Sequence, residues 1–230
     1  MPERFSRILN LEQYSKYNEP LHVGIPSFSP PPDEQRILRM LVNSPYSGFK
    51  LPNYLNWTLP IIRMAEEYQL NSIKIKHPFT YVTVRHGLVN TKTDDQWHVD
   101  GFSVRYNHLP EANYLIVSND GTEVADQTFD FPADFDPLKH NIHLFFAKMV
   151  NEQNIIKLKP KSLYFLDPYV VHRRPPNTFG KWRTAVRISC LPIEIPDINN
   201  TRNPLIETPH YIVDGIKSWR DNLLDYHLRG

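Results

Sequence analysis

A histidine and an aspartate two residues apart carry the first sign of chemistry in this chain, in Gln96-Trp97-His98-Val99-Asp100-Gly101-Phe102. On an extended backbone, residues i and i+2 project to the same side, so the His98 imidazole and the Asp100 carboxylate can converge on one ion. A third donor stands far downstream, at His172 in Tyr169-Val170-Val171-His172-Arg173-Arg174, at the end of an apolar, aromatic-rich run. Two imidazoles and one carboxylate on one face of a divalent ion leave its other positions open, a donor set that suits ferrous iron. An isolated HxD pair is served equally by a hydrogen-bonded His and Asp at the start of a strand. The segment after His172 separates the two.

Beyond His172 the chain reads Pro175-Pro176-Asn177-Thr178-Phe179-Gly180-Lys181-Trp182-Arg183-Thr184-Ala185-Val186-Arg187-Ile188-Ser189, which sets Arg183 and then Arg187 past a Pro- and Gly-containing turn. A turn followed by a strand would return a guanidinium to the ion, where its planar fork suits a carboxylate. In this order of motifs, residues 79 to 190 resemble the Fe(II)- and 2-oxoglutarate-dependent oxygenase superfamily, in its taurine-dioxygenase-like and phytanoyl-hydroxylase-like branches. The resemblance implies that His98, Asp100 and His172 hold Fe(II) and that Arg183 holds the distal carboxylate of 2-oxoglutarate. Thr122 stands where some branches place a hydroxyl on that co-substrate. Arg187, two pleats along on the same face, would meet an anionic substrate group or pair with a carboxylate, and it stays a second candidate for 2-oxoglutarate. The activity so implied is hydroxylation of a C–H bond of a small polar substrate with O2, releasing succinate and CO2. Where the family often has Gly before the strand leading to the distal histidine, this chain has Lys161. A cupin-like metalloenzyme that uses no 2-oxo acid and a non-catalytic jelly-roll binding module are the competing readings.

The composition is consistent with one domain. The chain has 230 residues, 40% hydrophobic and 22% charged, which suits a single sizeable core. A net charge of +1 with no long basic run does not mark a nucleic-acid-binding protein. The single cysteine, Cys190, excludes an intramolecular disulfide framework and fits a reducing cytoplasm, as a small buried residue at a strand end. The charged N-terminus does not read as a signal peptide, and no apolar window reaches membrane-spanning length. Twenty-one prolines against eight glycines predict long, ordered loops on a rigid scaffold. There is no GxSxG, P-loop or dinucleotide fingerprint. His140-Asn141-Ile142-His143 has the HxxH spacing of a helical metal site but no HExxH or cysteine pair to accompany it, and reads as a polar loop at the start of a segment.

The elements that would position the donors are mainly strands. Residues 1–75 read as a lead with supporting helices: irregular through the Pro30-Pro31-Pro32 run, a helix over 34–43 capped by Asp33 with Ile37, Leu38 and Leu41 at helical spacing, and a helix over 59–69 capped by Thr58. The β-core, 79–190, is predicted as strands over 79–86, 98–106, 113–118, 122–129, 155–158, 162–166, 169–172 and 182–190, with a hairpin turn at Asn119-Asp120-Gly121 and an ambiguous segment at 142–150. Trp97, Phe102, Tyr106, Tyr114, Tyr164, Phe165 and Trp182 are candidates for a dry cavity or for core packing. Strands without long intervening helices predict a double-stranded β-helix, or jelly roll, with flanking helices. Residues 191–230 read as a loop and a C-terminal helix over 214–228, whose Ile216, Trp219, Leu223 and Leu224 stripe would cover the barrel or form a homodimer.

Overall fold

The computed structural model describes residues 10–74, 76–101, 111–137, 139–195 and 199–207. The expected C-terminal helix with its dimer stripe, and the part of the expected 98–106 strand from Phe102 to Tyr106, lie outside the described residues. Within them the chain is mainly β, with two antiparallel sheets and few helices. In chain order the strands are β1 (Leu21–Gly24), β2 (Gln35–Ser44), β3 (Gly48–Phe49), β4 (Phe79–Leu88), β5 (Ala112–Val117), β6 (Glu123–Ala125), β7 (Ile155–Lys157), β8 (Leu163–Leu166), β9 (His172–Arg173) and β10 (Trp182–Leu191). The helices are α1 (Leu59–Tyr68) and α2 (Ile142–Met149), with short 3-10 turns besides. The large sheet runs β1-β8-β5-β10-β4-β2-β3 and the small one β7-β6-β9.

β10 is the spine of the large sheet, in unbroken register with β4 from Trp182↔Leu88 to Leu191↔Phe79 and with β5 from Ala185↔Val117 to Cys190↔Ala112. Its alternation separates two faces. Val186, Ile188 and Cys190 bury against Ile61, Ile62 and Ala65 of α1, in the largest apolar cluster. Arg183, Arg187 and Ser189 therefore face the small sheet. Between the sheets lies a smaller cluster of Val124, Leu158, Leu166 and Val170 with Leu115 and Tyr164. On the far side of the small sheet, Trp97, Val99, Ala125, Tyr169 and Val171 pack against Ile142 and Phe146 of α2 and against Tyr14 and Phe129.

Several expectations need correction. Residues 34–43 form strand β2, not a helix. Its pairing with β4 shifts register between Ile37 and Met40 and again between Leu41 and Asn43, and Arg39 takes a left-handed φ of 44°. Such bulges insert extra residues and break the period-2 signal, which leaves the apolar residues at a helix-like spacing. The stretch expected to be irregular before the proline run contains β1, paired with β8. Asn119-Asp120-Gly121 is not a hairpin turn, because β5 and β6 lie in different sheets. It is a crossing between sheets, with Asp120 at φ 43° and Gly121 pressed so close to the Leu158 carbonyl that a Cβ would fall 1.6 Å from its oxygen. The 169–172 strand contracts to β9, and among the described residues the 98–106 strand is a single bridge at His98. The ambiguous 142–150 segment is α2, capped by Asn141, whose Oδ1 accepts from His143 N and Leu144 N. The helix expected at 59–69 is α1 within one residue, with Pro60 in its first turn. Thr58 stands at its start, but its hydroxyl donates to the Leu55 carbonyl instead of capping.

Candidate metal centre

The three predicted ligands come together. His98 and His172 exchange both backbone hydrogen bonds, His98 N to His172 O and His172 N to His98 O at 2.9 Å each, so the two donors sit directly opposite one another. The side-chain alternation does the rest. Trp97, Val99, Val171 and Arg173 point to the α2 side, and His98, Asp100 and His172 point between the sheets. One ligand atom from each of His98, Asp100 and His172 lies within 4.8 Å of the others. The His98 and His172 ring centroids are 4.5 Å apart. At a metal–nitrogen distance of about 2.0–2.1 Å, two imidazoles at right angles on one ion would be separated by about that much.

The tautomers suit a metal as well. His98 Nδ1 donates to the Gln96 carbonyl at 2.7 Å, and His172 Nδ1 to the Val170 carbonyl at 2.9 Å. A carbonyl only accepts, so each Nδ1 carries a proton, and in the neutral ring Nε2 is the atom left for a ligand. Burial and the neighbouring His172 push His98 down to about 3, so its imidazole is neutral at physiological pH. Burial pushes the Asp100 carboxyl up, but the Arg187 guanidinium beside it outweighs this and holds Asp100 well below the ordinary carboxylate range. His98 and Asp100 are thus in the deprotonated form that metal binding requires.

The trailing arginines are both on the inner face, with different surroundings. Arg187 pairs through Nη1 with Asp100 Oδ2, so its role as the partner of a carboxylate is present in the structure. Arg183 is buried, with 7% of its surface exposed. Its contact is weak: Nη2 reaches the Asp120 carbonyl at 3.4 Å, and Nε has no hydrogen-bond partner among the described residues. Burial and the nearby Arg174 cation lower it to about 10, with Asp120 opposing. The turn that supplies this carbonyl is stapled to β10 by Thr184 N to Ser118 Oγ, Ser118 N to Thr184 O and Asn119 Nδ2 to Trp182 O. Thr122 comes directly after that turn, buried, its carbonyl accepting from Leu158 N at 2.9 Å. Lys161 takes the left-handed conformation, φ 59°, that glycine adopts without strain.

Arg173 and Arg174 form an internal clamp. Arg173 donates through Nε to Glu123 at 2.7 Å and through both terminal nitrogens to Glu152, at 3.1 and 2.9 Å. Its guanidinium also stacks on the Trp97 indole, 4.3 Å from the ring centre. Arg174 is tied to Asp95 and to the Thr91 carbonyl. Of the described aromatic candidates, Tyr114 and Phe165 are in the α1-facing core, Trp97 faces α2, Tyr164 packs between the sheets and Trp182 is 47% exposed. Sequence reading missed the Trp97–Arg173 stack, which joins the neighbours of two ligands, and the approach of His143 to 6.2 Å from the His98 ring. The HxxH spacing was the signal for the latter.

No helix among the described residues is long and apolar enough to cross a membrane. No protein-family model matches the chain, and no curated protein matches it. Among solved structures the chain is similar to AviO1 from Streptomyces viridochromogenes Tue57, at 16% identity over 85% of this chain and 88% of that one, with a TM-score of 0.37. A likeness at that level says nothing about what this chain does, and the donor set itself is what assigns it a candidate centre for a divalent metal ion.

Proposed function

We propose that the chain is a jelly-roll Fe(II)- and 2-oxoglutarate-dependent oxygenase that hydroxylates a C–H bond of a small polar substrate. The observation that carries the reading is the convergence of His98, Asp100 and His172 beside a buried arginine that lacks a strong partner. The jelly roll is supported by the way consecutive strands change sheets: β4 in the large sheet, the His98 bridge beside the small one, β5 large, β6 and β7 small, β8 large, β9 small and β10 large. The donors fit ferrous iron, because two imidazoles and one carboxylate leave open positions at the ion. The orphaned Arg183 Nε fits a carboxylate, because a buried cation without a strong acceptor gains most from a charge-assisted hydrogen bond.

When bound, iron and 2-oxoglutarate would supply the oxidation of the substrate carbon by O2, with release of succinate and CO2. The protein's residues bind and orient. His98 and His172, anchored through Nδ1, would present fixed Nε2 lone pairs, and Asp100 would supply the charge. Arg183 would hold the distal carboxylate of 2-oxoglutarate, with Thr122 close in sequence to the turn beside it. Arg187 orients Asp100, and its remaining donors would meet an anionic group of the substrate. The test is anaerobic Fe(II) titration with and without 2-oxoglutarate, watching the weak visible charge-transfer band of a 2-oxo acid chelated to ferrous iron. The band is expected in the wild type and absent in His172→Ala. Iron binding without a band would favour the cupin-like alternative, and no iron binding would leave a non-catalytic module.

A further inference from the structure

The register shift in β2 turns one residue around. Ile37, Met40 and Val42 belong to the α1-facing cluster, and the extra residue between Ile37 and Met40 sends Arg39, with its left-handed φ of 44°, to the inner face. Arginine rarely adopts that backbone state, and bulges of this kind re-aim side chains beside functional sites. On the inner face Arg39 meets Glu111: Nη2 donates to Oε1 at 2.8 Å, with both side chains 4% exposed. Arg39 N donates to Thr83 Oγ1 at 3.1 Å. Asn113, whose Oδ1 accepts from Ser189 Oγ at 2.6 Å, donates through Nδ2 to Glu111 Oε2 at 3.4 Å. A buried ion pair adds little stability over apolar residues of the same volume, so stability alone does not account for this one.

The place of Glu111 beside the metal centre supplies a role. Its N–H donates to the Gly101 carbonyl at 3.1 Å, directly after the ligand Asp100. Gly101, at φ 91°, lies so close that a Cβ there would fall 3.1 Å from that of Glu111 and 3.0 Å from Asn113 Nδ2. Arg187 and Ser189 are alternate residues on one face of β10, so Arg187 stands next to this group while it pairs with Asp100. Burial works against the Arg187 cation, but Asp100 and Glu111 outweigh it and raise the group above its ordinary range. The charges thus alternate along Asp100, Arg187, Glu111 and Arg39. An ion bound to Asp100 would draw on the carboxylate that neutralises Arg187 and leave a buried cation half-paired, which is costly unless a second carboxylate stands by. We propose that Glu111 and Arg39 are positioning residues of the metal centre: Glu111 keeps Arg187 compensated when Asp100 binds an ion, and Arg39 fixes Glu111 in that place. This rests on the metal-centre reading.

Co(II) alone is the probe, and its affinity for the full chain is read in a double-mutant cycle. The pair is replaced together, Arg39→Met with Glu111→Met, because it is net neutral and its direct field on the ion largely cancels. The replacement is expected to weaken Co(II) binding at least about 10-fold, while the metal-free protein melts at or above the wild-type temperature. In an Arg187→Met background the same replacement should change Co(II) affinity by no more than about 2-fold, since the group it acts through is gone. If the methionine pair does not fold, Arg39→Gln with Glu111→Gln, which can still hydrogen-bond to each other, is read in the same cycle. An unchanged Co(II) affinity would overturn the inference, and so would a loss as large without Arg187 as with it, which is the mark of a merely structural pair. Failure of the wild type to bind Co(II) at all would overturn it together with the metal centre. If the cycle behaves as expected but 2-oxoglutarate gives no charge-transfer band with Fe(II), the inference stands and the co-substrate assignment falls.

Discussion

Replacing Arg183 by methionine should make the metal-free protein more stable while removing its affinity for a 2-oxo acid. A guanidinium lowered from the ordinary arginine range to about 10 by burial and by Arg174 is held as a cation at a cost of about 3 kcal/mol. Its return is one 3.4 Å contact with the Asp120 carbonyl. Proton binding gives the sign. From about pH 10 up to the ordinary arginine range the unfolded chain binds the Arg183 proton more tightly than the folded one, so stability rises with pH across that window, and at pH 7 the whole cost is present. Methionine keeps most of the apolar stem and removes the charge. Allowing for imperfect repacking, the gain should be about 1–3 kcal/mol, which in a chain of this size raises Tm by roughly 2–4 °C per kcal/mol. Loss of a buried partner to a carboxylate costs about 2–5 kcal/mol, so 2-oxoglutarate should bind at least about 30-fold more weakly. The assays are thermal unfolding of metal-free protein by circular dichroism, and calorimetric titration of 2-oxoglutarate with Mn(II) in place of iron. If Arg183→Met melts below the wild type and still binds 2-oxoglutarate as tightly, Arg183 is a structural cation and both its roles here are refuted.

Three further outcomes come from single contacts. Arg173→Lys keeps the charge beside Glu123 but loses the fork to Glu152 and the flat stack on Trp97, so metal affinity should drop about 10- to 100-fold with little change in metal-free Tm, as read by Co(II) titration. Phe146→Ala empties a fully buried site in the cluster behind the ligands and should cost about 3–5 kcal/mol, visible as a lower urea midpoint. Cys190 is fully buried and burial pushes its thiol up to about 12. It should stay unlabelled by a thiol reagent at pH 8 in the native protein and react at once in denaturant; rapid native labelling would contradict the packing of β10 against α1.

How far the chain could be read depended on whether local periodicity or distant pairing decided each feature. Strand β4, helix α1 and the spine β10 were legible within two residues, because their apolar residues recur at the period of the element they form. The ligand set was legible too, since an i, i+2 pair shares a side of any extended segment and a third donor needs only to be brought across. Bulged β2 was not, because register shifts at Ile37 and Leu41 erase the alternation, nor was the sheet change at Asp120, since turn residues look alike whether the chain returns or crosses. Charge partners were the least legible. Arg173, Arg174 and Arg187 are like side chains close together in sequence, and only the tertiary structure gave them Glu123 and Glu152, Asp95, and Asp100, while leaving Arg183 with a carbonyl. The sequence by itself determined which atoms can bind a metal, through residue type and spacing. The tertiary structure decided which cations are already neutralised and which is left buried beside a carbonyl alone, because desolvation and pairing depend on neighbours 21 to 87 residues away.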